Sequence, residues 1–189
     1  MAQVGLKSFL HSELKDGKYK APSKLAGAIE FKENLNSNDA KLYADDVLQD
    51  SDSSVTGGDI TLGIDDDDPA IFGPLLGQKK NSIALSGGDS KTVDVYDATS
   101  NDEPIAVGFG YISKKNGGKY KVVFYPKVKF APYSVDAKTK EEKLEYTTPS
   151  VVGTIYPDEQ TGLYRRTAVV ELEADAVAAL KALFTPTAE

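Results

Sequence analysis

The sequence predicts a mainly β fold, and three observations carry that prediction. Apolar and polar residues alternate with a period of two in several runs, turn-forming residues separate the runs, and helix-favouring composition is confined to short stretches. From Lys24 to Leu35, Leu25, Ile29 and Phe31 share one face while Glu30, Lys32 and Asn34 share the other. From Val55 to Asp65, Ile60, Leu62 and Ile64 oppose Asp59, Thr61 and Asp65. Ile105, Val107, Phe109 and Tyr111 then alternate with the small Ala106, Gly108 and Gly110.

After Lys114-Lys115-Asn116-Gly117-Gly118 the alternation restarts as Tyr120, Val122, Phe124, Val128 and Phe130, with Lys119, Lys121, Lys127 and Lys129 toward solvent. The Asn-Gly pair permits positive φ at the turn, so these two runs are expected to form a hairpin. Pro126 removes one ladder donor and marks a sheet edge or a bulge. The runs Leu144–Tyr156 and Leu163–Glu173, joined by the turn-rich residues 157–162, are expected to form a second hairpin. The stretch from Ala174 to Phe184 reads as a helix with Val177, Leu180 and Phe184 on one stripe, able to dock on its own sheet or on a neighbour.

A chain of 189 residues suits one domain, 1–189, with a core and long connections. Three polar connections are long for a compact domain: Asn36 to Ser54, Gly77 to Ser90, and Ala131 to Glu142. The first, with Tyr43, Asp45, Asp46, Asp50 and Asp52, is expected to be an acidic projecting loop at about 36–54. Neither a solenoid repeat nor a low-complexity linker divides the chain.

The formal net charge of −7 argues against a grip on nucleic acid, which needs clustered Lys and Arg to displace counterions. With no cysteine, disulfides, thiolate metal sites and cysteine nucleophiles are excluded. The opening MAQVGLKSFLHSELKDG has no basic segment followed by an apolar one, and no run approaches the roughly 20 apolar residues of a membrane span. The expected compartment is the cytosol, without membrane binding.

The run Asp65-Asp66-Asp67-Asp68 invites a metal reading, which spacing rejects. A calcium loop beginning at Asp65 needs an oxygen ligand, Gly and Glu where Pro69, Ala70 and Leu76 stand. A start at Asp66 meets Ala70, Ile71 and Gly77, and a start at Asp50 meets Ser54, Val55 and Thr61. A helix start fits better: Asp68 is the expected N-cap and Pro69 the first helical residue, with Ala70, Ile71, Phe72, Leu75 and Leu76 as the apolar face. Pro74 cannot donate to Ala70, so a kinked or restarted helix ending near Gly77 is expected.

Catalytic signals are thin. His11, the single histidine, lies in a strand-like run with no Ser-His-Asp context and reads as a surface or half-buried structural residue. No phosphate-binding glycine motif occurs, since Gly108-Phe109-Gly110 falls inside a strand. The reading assigns no catalytic, cofactor-binding or metal residue.

In its order of elements the chain resembles the major tail proteins, or tail tube proteins, of long, non-contractile-tailed bacteriophages. The residues that carry this are Val4-Gly5-Leu6-Lys7, Lys24-Leu25-Ala26-Gly27-Ala28-Ile29, Lys41-Leu42-Tyr43-Ala44-Asp45-Asp46 and Gly58-Asp59-Ile60-Thr61-Leu62. They continue through the acidic-Pro helix start, Leu75-Leu76-Gly77, Ala106-Val107-Gly108-Phe109, Lys119-Tyr120 and the run from Tyr146 to Thr154. Gly73-Pro74 and the alanine-rich C-terminal segment, about 174–189, depart from the pattern.

The resemblance implies a β-sandwich or half-barrel of tail-tube type with a short flanking helix. It implies a structural virion protein, made in the host cytoplasm, that self-assembles into hexameric rings stacked as a tube for DNA ejection. Tape measure, tail terminator and tail-tip proteins are its implied partners, and DNA passes the lumen without specific binding. On that reading Asp59, Thr61 and Asp65 are candidate lumen-facing residues, the 36–54 loop reaches a neighbouring subunit, and the C-terminal segment is a candidate inter-ring contact. The competing classes are a non-enzymatic β-sandwich binding module for a receptor or carbohydrate, and a metal-dependent hydrolase built on the acidic runs.

Overall fold

The computed structural model describes residues 3–38, 40–44, 47–85, 91–133 and 148–185, and the protein is mainly β with antiparallel pairing throughout. Strand β1 (Gln3–Lys15) pairs along its length with β10 (Ala106–Lys115) and turns back through Asp16-Gly17 into the short β2 (Lys18–Tyr19). β10 and β11 (Tyr120–Phe130) form the hairpin expected around Asn116, closed where Lys115 N–H donates to Lys119 O at 2.8 Å. From β11 the sheet continues through β12 (Ser150–Ile155) and β7 (Val55–Ile64) to β4 (Ala28–Ser37).

The two ends of this path are joined by one segment. β3 (Ser23–Ala26) pairs with β1, and β4, one residue further on, pairs with β7. The sheet therefore curls round a single interior. Phe9, Ile60, Leu62, Ile64, Val107, Phe109, Tyr125, Phe130 and Val151 fill it. Phe109 sits at the centre of the aromatic packing, 5.4 Å from the Phe9 ring and 6.0 Å from that of Phe130. Such pairs add about 0.5–1.5 kcal/mol each beyond their buried area. Helix α1 (Pro69–Leu75) contributes Phe72 and Leu75, with Leu76 just beyond it, to the same core.

A second core lies on the outside of the β10–β11 hairpin. Helix α2 (Glu173–Leu183), at the predicted position, sets Ala176, Leu180 and Phe184 onto Ile112, Val122 and Phe124, so it docks on its own sheet. Close approach explains the small residues of β10. A Cβ on Gly110 would lie 2.5 Å from Leu180, and one on Gly108 would lie 2.7 Å from the Tyr19 ring. Both faces of this hairpin are buried.

Five expectations change in the structure. Pro126 does mark a bulge, where the register slips between Val107↔Val128 and Phe109↔Tyr125. The slip reverses the pleat, so Tyr120, Val122 and Phe124 pack under α2 while Val128 and Phe130 point into the interior of the curled sheet, and the single apolar face read for this strand is two. The second expected hairpin does not form. β12 pairs with the end of β11 at Val128–Phe130, whereas β13 (Arg166–Val170) pairs with its start at Tyr120–Phe124, so the two runs divide one long edge. Ile29 is 50% exposed, flipped out by the register shift between Ala28 and Glu30.

The remaining two concern the polar connections. Within 36–54, β5 (Ala40–Ala44) and β6 (Val47–Asp52) form a two-stranded ribbon that prolongs the β4–β7 hairpin. Within 77–90, β8 (Lys79–Ala84) pairs with β9 (Thr92–Asp97) as a second separate ribbon. Most of the 131–142 connection lies outside the described residues.

Candidate functional site

The acidic run turns out to be a structural junction. Asp65 leaves β7, and its carboxylate accepts the Gly27 N–H at 2.5 Å while its own N–H donates to Gly27 O at 3.2 Å. Asp67 accepts the Tyr133 hydroxyl at 3.2 Å. Burial, followed by the Asp67 and Asp66 carboxylates, pushes the Tyr133 pKa up to about 12. Asp68 is the N-cap, accepting Ala70 N–H at 2.9 Å, with Pro69 opening the helix as expected. Three of the four carboxylates thus tie down the turn between β7 and α1. Pro74 is accommodated inside α1, and Gln78 N–H closes onto Gly73 O at 2.9 Å.

The three candidate lumen residues do not stay together. Asp59 and Thr61 stand on the outer face of β7, away from the core residues Ile60 and Leu62. Strand register builds outward rows across this region: Lys129, Thr154, Asp59 and Asn34 in one, Val152, Thr61 and Lys32 in the next. Thr154 Oγ1 donates to Asp59 at 2.9 Å, and Lys32 pairs with Glu30 at 3.0 Å. The face is hydrophilic and mixed in charge, with lysines among its carboxylates. Asp65 is displaced from these rows because β7 ends at Ile64 and the chain turns to Gly27.

Of the candidate inter-subunit residues, Tyr43 lies in β5, and Asp50 and Asp52 lie in β6. Asp45 and Asp46 lie outside the described residues. The ribbon carrying the first three is a sheet of its own, distinct from the nine-stranded one. The tail of the C-terminal segment, 186–189, also lies outside the described residues. α2 itself is tied to the sheet at its first turn, where Lys7 pairs with Glu173 at 2.8 Å and holds that carboxyl below its usual range.

A cleft of about 810 Å³ opens between α1 and β9, with Tyr96 resting against Gly73 and Tyr133 against Phe72. Its acids are already engaged, Asp67 by Tyr133 and Asp94 by Lys80 at 2.7 Å. His11 lines a smaller cavity of about 250 Å³ beside α1, together with Ser23, Ile71 and Ile105. Burial lowers its pKa below the ordinary histidine value, and its Nδ1 finds no hydrogen-bond partner among the described residues. Ser23 Oγ lies 3.5 Å from His11 Nε2, but among the described residues no carboxylate accepts from Nδ1 as the orienting group of a triad would.

Sequence reading missed one polar cluster. Glu33 shares the inner face of β4 with Phe31 and Leu35, opposite Ile60. Arg165, just before β13, reaches it with Nη1 at 2.5 Å from Oε2. The rings of Tyr111 and Tyr125 lie against Phe31 at 4.3 and 6.1 Å. Burial and then Glu33 raise both tyrosines, Tyr111 to about 12 and Tyr125 further. The parity of Glu33 with Phe31 was visible in the sequence, but nothing local marks Arg165 as its partner.

Among the described residues, no group of three or more His, Cys, Asp or Glu side chains is arranged to hold a metal ion, and no helix is long and apolar enough to cross a membrane. No protein-family model matches this chain, and no curated protein matches it.

Proposed function

We propose that this chain is a structural subunit that assembles with copies of itself into stacked hexameric rings, forming a tail tube of the phage type through which DNA is ejected. The observation that carries the reading is the division of the surface. One outer half of the sheet is covered by α2, while the other half, bearing Asp59 and Thr61, is polar and uncovered among the described residues, and is flanked by a separate two-stranded ribbon. A subunit of a tube needs such a wettable face for the channel and such an arm for its neighbour. Mixed charge suits a passing polyanion, because the face offers no basic stripe to hold phosphate.

On this reading the remaining partners are the tape measure, tail terminator and tail-tip proteins of the particle, and no reaction is assigned to the chain. Negative-stain microscopy of the purified protein over a rising concentration series tests it. Rings or tubes of uniform diameter are expected. A species that remains monomeric at every concentration, and also with its assembly partners present, would overturn the reading.

The cleft between α1 and β9 favours the second reading, a carbohydrate- or receptor-binding module, since Tyr96 and Tyr133 line it and offer ring faces to a ligand. The same microscopy series decides between them: a discrete monomer that binds a glycan at this cleft supports the module.

A further inference from the structure

We propose that Asn116 is a site of spontaneous covalent modification: its side-chain amide is attacked by the backbone nitrogen of Gly117 and lost as ammonia, leaving an acid at the tip of the β10–β11 hairpin. The chemistry belongs to the single chain and is independent of the tube reading.

The chain has six asparagines, and Asn116 is the one followed by glycine. The attacking group is the backbone nitrogen of the next residue, and a Cβ on that residue crowds its approach to the side-chain carbonyl carbon. Glycine has no Cβ. After the other five asparagines stand Leu35, Ser37, Asp39, Ser82 and Asp102.

The turn leaves both reacting groups unengaged. Gly118 N–H donates to Lys115 O at 3.3 Å, so Asn116 and Gly117 are its two central residues, and Gly117 has φ of 98°. The bond that closes the hairpin, Lys115 N–H to Lys119 O at 2.8 Å, passes them by. Among the described residues neither the Asn116 amide nor the Gly117 N–H has a hydrogen-bond partner, and both residues are exposed. Asn81 differs, since its Nδ2 donates to Asp97, and Asn34 and Asn36 are held in the β4–β7 ladder.

Charge acts in the same direction. Lys114 and Lys115 precede the pair and Lys119 follows it, and positive charge nearby favours the deprotonated amide nitrogen that attacks. In the first step the Gly117 N–H gives its proton to hydroxide and the nitrogen bonds to Asn116 Cγ. The Cγ–Nδ2 bond breaks, and the departing nitrogen takes a proton from water and leaves as ammonia. In the second step water opens the resulting five-membered imide. Opening at the side-chain carbonyl gives aspartate, and opening at the backbone carbonyl gives the isomer in which the chain runs through the side-chain carbon. The isomer lengthens the backbone of a two-residue turn, so it disturbs the Lys115–Lys119 closure.

The test incubates the full chain, folded, in mildly alkaline and in mildly acidic buffer and follows it by peptide mapping. Chymotryptic cleavage after Tyr111 and Tyr120 isolates Ile112–Tyr120, in which Asn116 is the sole asparagine. The expected result is the mass shift of an amide turned acid in this peptide, split between two isomers, faster in alkali, and about tenfold faster than at any other asparagine. Isoelectric focusing of the parent should show an early acidic band that is missing from Asn116→Gln, whose longer side chain cannot close the five-membered ring. Gly117→Ala should slow the band, but it also strains a residue with positive φ, so Asn116→Gln carries the comparison. First conversion at another asparagine, an acidic band that survives in Asn116→Gln, or a peptide that converts only after the chain is denatured would each overturn the proposal.

Discussion

The β10–β11 hairpin and the β12–β7–β4 region belong to one sheet but differ in how many of their faces are buried. The hairpin carries the main core on one side and α2 on the other, and its outward positions are Gly108, Gly110, Ile112, Val122 and Phe124. In the second region the inward positions are as apolar, with Ile60, Leu62 and Val151, yet the outward ones are Asp59, Thr61, Thr154 and Lys32, with Val152 as one exposed apolar residue among them. Pleating imposes the alternation in both. What differs among the described residues is the cover: the outer face of the first region carries α2, and that of the second carries no helix.

Removing the helix contact should break this asymmetry most strongly. Leu180→Ala empties a fully buried position between α2 and β10 and is expected to cost about 3 kcal/mol in a denaturant titration. A loss under 1 kcal/mol would mean that α2 contributes little and that the two halves are less different than they look.

The junction under the bare half comes next. Asp68→Ala removes the cap of α1 and should cost about 1 kcal/mol. Asp65→Ala removes the acceptor of Gly27 N–H and should cost a similar amount. Thermal melts of both distinguish this from a purely superficial Asp65, which would leave stability unchanged.

Smaller still is an acid-dependent loss on the barrel side. The folded state lowers the pKa of His11, so the unfolded chain binds the proton first as pH falls. The contribution of the neutral, buried ring is complete above the unfolded value of about 6.5 and declines below it. His11→Gln should flatten the stability profile between about pH 7 and pH 5 relative to the parent. A parallel profile in the variant would assign that slope to other groups.

The least destabilising changes should be on the bare face. Asp59→Asn and Thr61→Ala are expected to shift subunit stability by no more than about 0.5 kcal/mol. If the tube proposal holds, their effect should appear in the assembled particle instead, as a change in channel charge or lining.

Much of this was legible from the residues. Alternation identified Ile60, Leu62 and Ile64 as core, Asn116-Gly117 located the hairpin, Asp68-Pro69 located the helix start, and the alanine-rich end gave α2. The ribbons were not legible, because Gln49-Asp50-Ser51-Asp52 in β6 and Lys79-Lys80-Asn81-Ser82 in β8 are poor strand formers whose ladder is supplied by the facing strand. The separation of β12 from β13 was hidden for a different reason. Adjacent runs joined by a turn usually pair, but here the eleven residues of β11 offer an edge long enough for both. Asp65 failed as a face residue because a hydrogen bond to Gly27, distant in sequence, ended the alternation one position early. Arg165 had no local signal, since its role depends on a strand that lies 132 positions away.

The most direct measurement is a high-resolution map of the assembled particle, read for the direction in which the two halves of the sheet face. The account predicts a tube whose channel is lined by the outer face of β12, β7 and β4, with Asp59 and Thr61 in contact with the lumen and α2 on the exterior. A map with α2 lining the channel, or with Asp59 and Thr61 buried between subunits, would contradict it.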